Sequence, residues 1–204
     1  MKILLTGFEA FEGEKLNPAL EAVKLVSQEK FQAEIIKLKV PTVFNKSIDL
    51  VADKIKELKP DAVLAIGQAG GRPTITVERV GINVDDARIK DNDGNQPEDS
   101  KIFEDGKNAY FATIPIKEIV EKIKEEGIPA SISNTAGTFV CNHLMYGILY
   151  LLEKESSNSM GGFIHVPYIP CQVVDKNNMP SMSLENIVRA IEIAIGVIIE
   201  EFED

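Results

Sequence analysis

The chain has 204 residues, of which 44% are hydrophobic and 26% charged, a balance typical of a globular protein rather than a disordered one. Its 22 basic and 32 acidic side chains leave a net charge of −10, which argues against binding to nucleic acid or to anionic membranes. Two cysteines and two histidines exclude a disulfide-rich scaffold, a four-cysteine zinc site and a three-histidine zinc site. Without a signal peptide or an apolar run of roughly 20 residues, we expect a cytoplasmic protein with free thiols.

Apolar spacing and turn residues predict alternating strands and helices. Asn17 is expected to cap the first helix, with Pro18 at its first position, and Ser183 to cap the last. The polar segment 85–108 is long for a loop, which is typical of a functional or hairpin-like connection. In chain order we expect a strand at 3–5, a helix from 18 to about 29, a strand at 33–40, a helix at 43–59, a strand at 61–67, a β-rich segment at 74–84, a helix from 116 to 127, a strand at 130–134, a helix at 139–152, a strand at 162–166 and a final helix from 184.

This alternation predicts an α/β fold: a single-domain α/β/α sandwich over residues 1–204, with a mostly parallel, twisted central sheet. We find no internal repeat, linker or low-complexity segment that would divide the chain. Active sites of such sheets usually lie outside the carboxyl ends of the strands. The segments to search are therefore 7–14, 68–72, 134–140 and the residues from 165 onward.

Cys141 is the first candidate for chemistry, because it follows a predicted strand and a Thr-Ala-Gly-Thr turn and lies near the start of a helix. A helix N-terminus favours a thiolate and offers backbone N–H groups to an oxyanion. A buried cysteine can also be a plain core residue. Cys171 has no comparable context and is interpreted as a structural or surface thiol.

A cysteine nucleophile needs a base within hydrogen-bond reach, usually a histidine. His143 is two residues from Cys141, so on a helix the two side chains point about 200° apart. His165 ends a predicted strand, where a catalytic residue of an α/β protein is expected, although a histidine there can also be purely structural. Helix geometry therefore favours His165.

A third group often orients the base. Glu78 interrupts a β-prone run and is one candidate, but an acid there can also face water or pair with Arg79. Spacing alone does not separate Glu78 from three other acidic residues, which are Glu9, Asp85 and Asp86.

Two further motifs suggest ligands. The segment 67–72 is rich in glycine and could cradle phosphate, yet it matches no established phosphate-binding pattern. A phosphorolytic or nucleotide-binding protein is thus one alternative function. The segment 91–95 hints at a calcium loop, but Gln96 and Ile102 occupy positions that require glycine and glutamate, so that hypothesis fails.

Several segments together resemble the cysteine-type pyroglutamyl peptidases, also called pyrrolidone-carboxylate peptidases, over nearly the whole chain. The most specific are SNTAGTFVCN at 133–142 and FIHVPYIP at 163–170. The remaining segments are TGF at 6–8 with Phe11 and Asn17-Pro18, GQAGGR at 67–72, and VER at 77–79 with Asn83 and DAR at 86–88.

The resemblance implies a catalytic triad of Glu78, Cys141 and His165. It further implies that Phe8 and Phe11 flank a pyroglutamyl ring and that Arg88 lies near the active site. The implied substrate-binding set is Phe8, Phe11, Asn17, Gln68, Arg88 and Val140.

The implied activity is removal of N-terminal pyroglutamate from peptides through a thioester intermediate. The family members are usually cytoplasmic homotetramers that need no metal and no organic cofactor. Two residues depart from the usual first loop of the family: Ala10 replaces a proline, and Glu12 replaces the first of two glycines. We therefore expect a less rigid loop with an added charge beside a pocket for a neutral lactam. A non-catalytic module that binds pyroglutamyl peptides is a second alternative, against which the intact triad weighs.

Overall fold

The computed structural model of the protein describes residues 1–155 and 158–203, in which strands and helices alternate along the chain. The strands are β1 (Lys2–Phe8), β2 (Glu34–Val40), β3 (Ala62–Gln68), β4 (Ile75–Glu78), β5 (Val80–Ile82), β6 (Ala109–Phe111), β7 (Ala130–Ser133) and β8 (Met160–Val166). The helices are α1 (Pro18–Leu25), α2 (Lys46–Leu58), α3 (Ile116–Glu125), α4 (Val140–Lys154) and α5 (Leu184–Glu203).

Six strands form the central sheet in the order β2-β1-β3-β8-β4-β7. Neighbouring strands are parallel except for β8 and β4, which pair antiparallel. The predicted α/β fold with a mostly parallel sheet is confirmed. The reversal at β4 was not expected, and it decides how the candidate site is assembled.

Helices cover both faces of the sheet, because the strands in its middle are apolar on both sides. Helices α1, α3 and α5 pack on one face around residues such as Ile119 and Ile191. Helices α2 and α4 pack on the other face around Val51 and Leu144. No helix within the described residues combines the length and the apolar character required to cross a bilayer.

The β-rich segment 74–84 forms two strands in two different sheets. The chain leaves the central sheet at Arg79, whose N–H still donates to Ser133 while its carbonyl accepts from Ala112. Beyond it, β5 pairs antiparallel with β6 to form a separate ribbon. Gly81 lies against the backbone of Tyr146, so the ribbon approaches α4 closely.

One helix boundary differs clearly from the sequence-based expectation. Helix α1 ends at Leu25 instead of continuing to about Glu29, and a short 3-10 turn at Gln28–Lys30 follows it. The long segment 85–108 is folded back on itself, with Asp85 and Ser100 paired antiparallel, in agreement with the hairpin-like connection expected from the sequence. Asp91 anchors it, since its carboxylate accepts N–H bonds from Asp93 and Asn95 within the segment and from Phe44 outside it.

Candidate active site

Glu78 and His165 form a buried hydrogen-bonded pair across the antiparallel strands β4 and β8. Thr76 lies directly opposite His165 in the register, so Glu78 is the diagonal neighbour on the same face. Nδ1–H of His165 donates to Oε1 of Glu78 at 2.7 Å. Glu78 is fully buried and His165 is 4% exposed, so the pair is shielded from water.

Cys141 is the second residue of α4 and faces the strand next to His165. Gly67 of β3 stands opposite His165 in the parallel register, and a Cβ built on Gly67 would lie 3.0 Å from Sγ of Cys141. A glycine at this position therefore leaves room for the thiol beside the strand that carries the imidazole.

Cys141 and His165 line one cavity of about 530 Å³, and this cavity is the candidate active site. No hydrogen bond joins Sγ of Cys141 to His165 within the part of the chain that the structure describes. Catalytic hydrogen bonds are often long without substrate and tighten when it binds. The other lining residues include Phe11, Glu12, Gln68, Gly70, Arg72, Asp86, Arg88, Phe139 and Tyr168.

The electrostatics of the site favour a neutral thiol and a neutral imidazole at rest. Burial and the nearby Glu78 carboxylate raise the pKa of Cys141 to about 12, although Arg72 opposes this. Burial also lowers the pKa of His165 below its usual value, despite the hydrogen bond to Glu78. The helix N-terminus was expected to favour a thiolate, but burial is the larger effect, so the thiol needs a base to remove its proton.

Glu78 carries the permanent negative charge of the site. Burial acts to raise its pKa, but the interactions with His165, and after them those with Ser133 and Arg72, outweigh burial and hold the pKa below its ordinary value. An ionised carboxylate fixes the imidazole tautomer with the proton on Nδ1. Nε2 of His165 is thereby left as the basic atom.

The start of α4 supplies potential oxyanion donors. The residue before the helix, Phe139, forms no side-chain cap, and the first intrahelical bond of the series runs from His143 N–H to the Phe139 carbonyl. The N–H groups of the preceding helical residues therefore have no acceptor within the helix. These groups include that of Cys141 itself, so they lie where a carbonyl attacked by Sγ would develop negative charge.

His143 belongs to a second buried imidazole–carboxylate pair rather than to this site. Its Nδ1–H donates to Asp85 at 2.7 Å, and its Nε2 accepts the N–H of Asn45 at 2.8 Å. Both ring nitrogens are therefore engaged, and His143 ties α4 to the start of α2 and to segment 85–108. This arrangement agrees with the helix geometry that disfavoured His143 as a partner of Cys141.

Three of the residues expected to bind substrate line the cavity. They are Phe11, Gln68 and Arg88. The Phe11 ring is 6.1 Å from that of Phe139, so these two aromatic side chains form one apolar wall. The Oε1 of Gln68 accepts a hydrogen bond from Gln172, which fixes the orientation of its side-chain amide.

The structure does not place the other three, Phe8, Asn17 and Val140, in the cavity lining. The Phe8 side chain is buried in the core with its ring 6.4 Å from that of Phe163. Asn17 uses its side chain structurally, since its Oδ1 accepts Ala19 N–H at the start of α1 and its Nδ2 donates to the Glu9 carbonyl. The Val140 side chain is buried in the core, and its backbone begins α4.

Two site residues were given no role in the sequence analysis, although both stand in segments that carry the family resemblance. Arg72 was read only as the end of a glycine-rich segment, yet its guanidinium donates to Glu78 at 2.5 Å. Phe139 was read only as the start of a helix, yet it packs between Phe11 and Phe44. The Phe139 contacts join residues that are distant in sequence, and although Arg72 is only six residues from Glu78, no spacing pattern shows that its guanidinium turns toward that carboxylate.

The weaker motifs have structural explanations. Segment 67–72 is followed by the strand β4, not by a helix that would bind phosphate at its N-terminus. Asp91 begins the calcium-like segment, and both of its carboxylate oxygens accept hydrogen bonds from backbone N–H groups. Cys171 is an exposed free thiol. Within the described ranges, no group of three or more potential ligands is placed to hold a metal ion.

Comparisons with known proteins identify the family of this chain. The family model described as pyroglutamyl peptidase matches residues 1–201. A pyrrolidone-carboxylate peptidase from Thermoanaerobacter sp. strain X514 is 63% identical over 97% of this chain and 98% of its own length. One from Clostridium botulinum strain Alaska E43 is 59% identical over 100% of this chain and 96% of its own. The crystal structure of Bacillus amyloliquefaciens pyroglutamyl peptidase I superposes with a TM-score of 0.93 at 50% identity, covering 97% and 96% of the two chains.

Fold and comparisons define a hydrolase of the cysteine peptidase class. The chain belongs to the pyroglutamyl peptidase family.

Proposed function

We propose that this chain removes N-terminal pyroglutamate from peptides, with Cys141 as nucleophile, His165 as base and Glu78 as the group that orients His165. The observation that carries the proposal is the Glu78–His165 hydrogen bond at the wall of a cavity that Cys141 also lines. Family membership supports the pyroglutamyl substrate. We further propose that residues 1–204 act as one catalytic domain.

The proposed reaction begins with proton transfer from Sγ of Cys141 to Nε2 of His165. The thiolate attacks the carbonyl carbon that joins pyroglutamate to the next residue, and N–H groups at the start of α4 stabilise the oxyanion. Glu78 stabilises the imidazolium that forms. His165 then protonates the departing amine as the C–N bond breaks, which leaves a thioester on Cys141.

Water completes the proposed cycle. His165 removes a proton from water, the resulting hydroxide attacks the thioester, and the C–S bond breaks. The proton on His165 returns to Sγ, so the free thiol is restored, and pyroglutamate leaves as its carboxylic acid, which then loses its proton to water. All steps use groups of the chain itself, and we propose that neither a metal nor an organic cofactor takes part.

Selectivity for pyroglutamate follows from its uncharged lactam. The Phe11–Phe139 wall offers an apolar surface to the flat ring, and the chain at Gln68 offers backbone polar groups to the lactam. A free N-terminal glutamate would bring an ammonium group into the same space without a matched partner, which is costly. Arg88 is an exposed residue of the cavity lining, and we assign it to the peptide beyond the pyroglutamyl ring.

A fluorogenic pyroglutamyl amide and its alanyl analogue test the proposal. We expect release from the pyroglutamyl compound only, and loss of nearly all activity in Cys141→Ser. Cys171→Ser is the matched control, because its thiol is exposed and outside the cavity lining. Folded wild-type protein that fails to cleave the pyroglutamyl amide, or a Cys171→Ser variant that alone loses activity, would contradict it.

We also propose a homotetramer that works in the cytoplasm, as the resemblance implies. Light scattering on the purified protein should give four chain masses, and cell fractionation should find the activity in the cytosolic fraction. Dialysis against a chelator should leave turnover unchanged.

A further inference from the structure

We propose that Arg72 is a positioning residue that shares Oε1 of Glu78 with His165 and thereby sets the pH range in which His165 serves as base. The inference rests on the proposed function, because it concerns how the same Glu78–His165 pair is held. Neither the family comparisons nor the sequence motifs assign a role to Arg72.

The guanidinium of Arg72 is fixed by contacts along β4. Nη1 donates to Oε1 of Glu78 at 2.5 Å and to Oγ1 of Thr76 at 2.7 Å. Nη2 donates to the carbonyl of Thr135 at 3.0 Å. Because Thr76 is the residue directly opposite His165, the same contacts that hold Arg72 place it beside the imidazole.

Glu78 requires such a partner because its carboxylate is fully buried. An isolated carboxylate in that environment would be strongly destabilised. Its Oε2 has no hydrogen-bond partner among the residues that the structure describes, so Oε1 receives both His165 and Arg72. Arg72, with 30% of its side chain exposed, is the group that compensates the buried charge from the solvent side.

Arg72 and Glu78 act in opposite directions on the two reacting groups. Glu78 raises the pKa values of His165 and Cys141, whereas the positive charge of Arg72 lowers both. Arg72 thus keeps His165 neutral to lower pH and eases formation of the thiolate. The other titratable groups that line the cavity are Glu12, Asp86, Arg88 and Tyr168.

The test compares the pH dependence of kcat/KM in Arg72→Gln and Arg72→Lys with that of wild type. Glutamine can still donate to Glu78 but has no charge, whereas lysine keeps the charge but loses the planar fork. We expect the acid limb of Arg72→Gln to move to higher pH by about half a unit to one unit, since the remaining Glu78 charge then favours the imidazolium. In Arg72→Lys the limb should stay in place while kcat falls by about tenfold or more, with KM nearly constant.

Arg79→Gln is the matched control. It removes a neighbouring guanidinium that donates to Asn134 instead of Glu78, so its pH profile and kcat should equal those of wild type. An acid limb of Arg72→Gln that coincides with wild type would overturn the proposal, and so would a shift of the same size in Arg79→Gln. If Arg72→Gln fails to fold, unaltered kcat in Arg72→Lys would overturn it equally. Absence of pyroglutamyl hydrolysis in the wild type is a distinct result, because that outcome refutes the proposed function itself.

Discussion

Gly67 and Cys141 lie so close that a side chain on the first would collide with the second. A Cβ on Gly67 would be 3.0 Å from Sγ of Cys141 and 2.7 Å from Cζ of Phe163. Phe163 is fully buried, so it has no free volume into which to move. The thiol of Cys141 can therefore lie beside the central strands only because residue 67 is a glycine and has no Cβ.

We expect Gly67→Ala to lower kcat/KM for a pyroglutamyl amide by about 100-fold, because a displacement of the nucleophile of roughly 1 Å has effects of this size. Stability should also fall, since the added methyl overpacks the core by about 1–3 kcal/mol. Steady-state kinetics and chemical denaturation measure the two effects.

Gly196→Ala is the control for Gly67→Ala. Gly196 lies in α5, and a Cβ there would meet no atom within 4 Å. This variant should keep full activity and gain up to about 1 kcal/mol of stability from the higher helix propensity of alanine. Equal activity in the two variants would show that the Gly67–Cys141 contact does not matter.

The protonation state of the resting site predicts how Cys141 reacts with iodoacetamide. Its raised pKa, about 12, leaves little thiolate at neutral pH, and the lowered pKa of His165 disfavours a thiolate–imidazolium pair. In a Cys171→Ser background, the alkylation rate should therefore rise about tenfold per pH unit through the neutral range. Mass spectrometry of the modified protein follows it, and a rate plateau extending to acidic pH would contradict this view of the site.

The His143–Asp85 pair is expected to contribute to stability, not to chemistry. In His143→Phe, the buried Asp85 carboxylate loses its partner, which should cost about 3 kcal/mol. Asp85→Leu should also destabilise, but the double variant should lose at least about 1 kcal/mol less than the sum of the two. Urea denaturation supplies these values, and fully additive losses would argue against a coupled pair.

An exposed charge pair serves as the control for the stability losses expected at the buried His143–Asp85 pair. Lys101 and Glu104 form an exposed pair, so Glu104→Ala should change stability by less than about 0.5 kcal/mol.

Hydrolysis per folded molecule in His143→Phe should stay within about tenfold of wild type, because His165 is the proposed base. Complete loss of turnover in properly folded His143→Phe would contradict the assignment of His165 as the base.

Glu12 occupies a backbone conformation better suited to glycine. Its φ is +54°, and the adjacent Gly13 has φ +76°. Glu12→Gly should raise the free energy of unfolding by up to about 1 kcal/mol, because the left-handed region disfavours a residue with a Cβ. It should also lower KM for a neutral lactam, since Glu12 lines the cavity.

Gly13→Ala is the opposite change in the same loop and should destabilise, because its φ remains positive. Thermal denaturation of both variants tests the difference. A lower melting temperature in Glu12→Gly than in wild type would show that the loop does not hold Glu12 under strain.

The sequence was sufficient to predict the alternating elements and the sheet class, because buried parallel strands and amphipathic helices leave strong periodic patterns. Asn17-Pro18 and Ser183 also marked helix starts that the structure has, with Ser183 Oγ accepting the N–H of Asn186. The direction of β4 was not predictable, since a strand of four residues has the same pattern in either direction.

The candidate site was predictable only in part for a related reason. Local geometry separated His165 from His143, but spacing left Glu78 among several acids, and only the antiparallel register of β4 against β8 brings it to His165. The helix N-terminus suggested a thiolate, whereas the depth of burial of Cys141 depends on the packing of distant strands. Arg72 remained unnoticed because no sequence pattern shows that its guanidinium turns toward Glu78, six residues further along the chain.

The central place of β8 has a consequence for the protein while it is being made. Although β8 is the last strand in the chain, it lies between β3 and β4, so the sheet cannot close until residues 160–166 have left the ribosome. An unfinished chain already carries Cys141 but lacks both His165 and the strand that would hold it. If the proposed triad is correct, peptidase activity cannot begin before residues 160–166 have been synthesised. Chains that end before His165 are then expected to be inactive toward peptides.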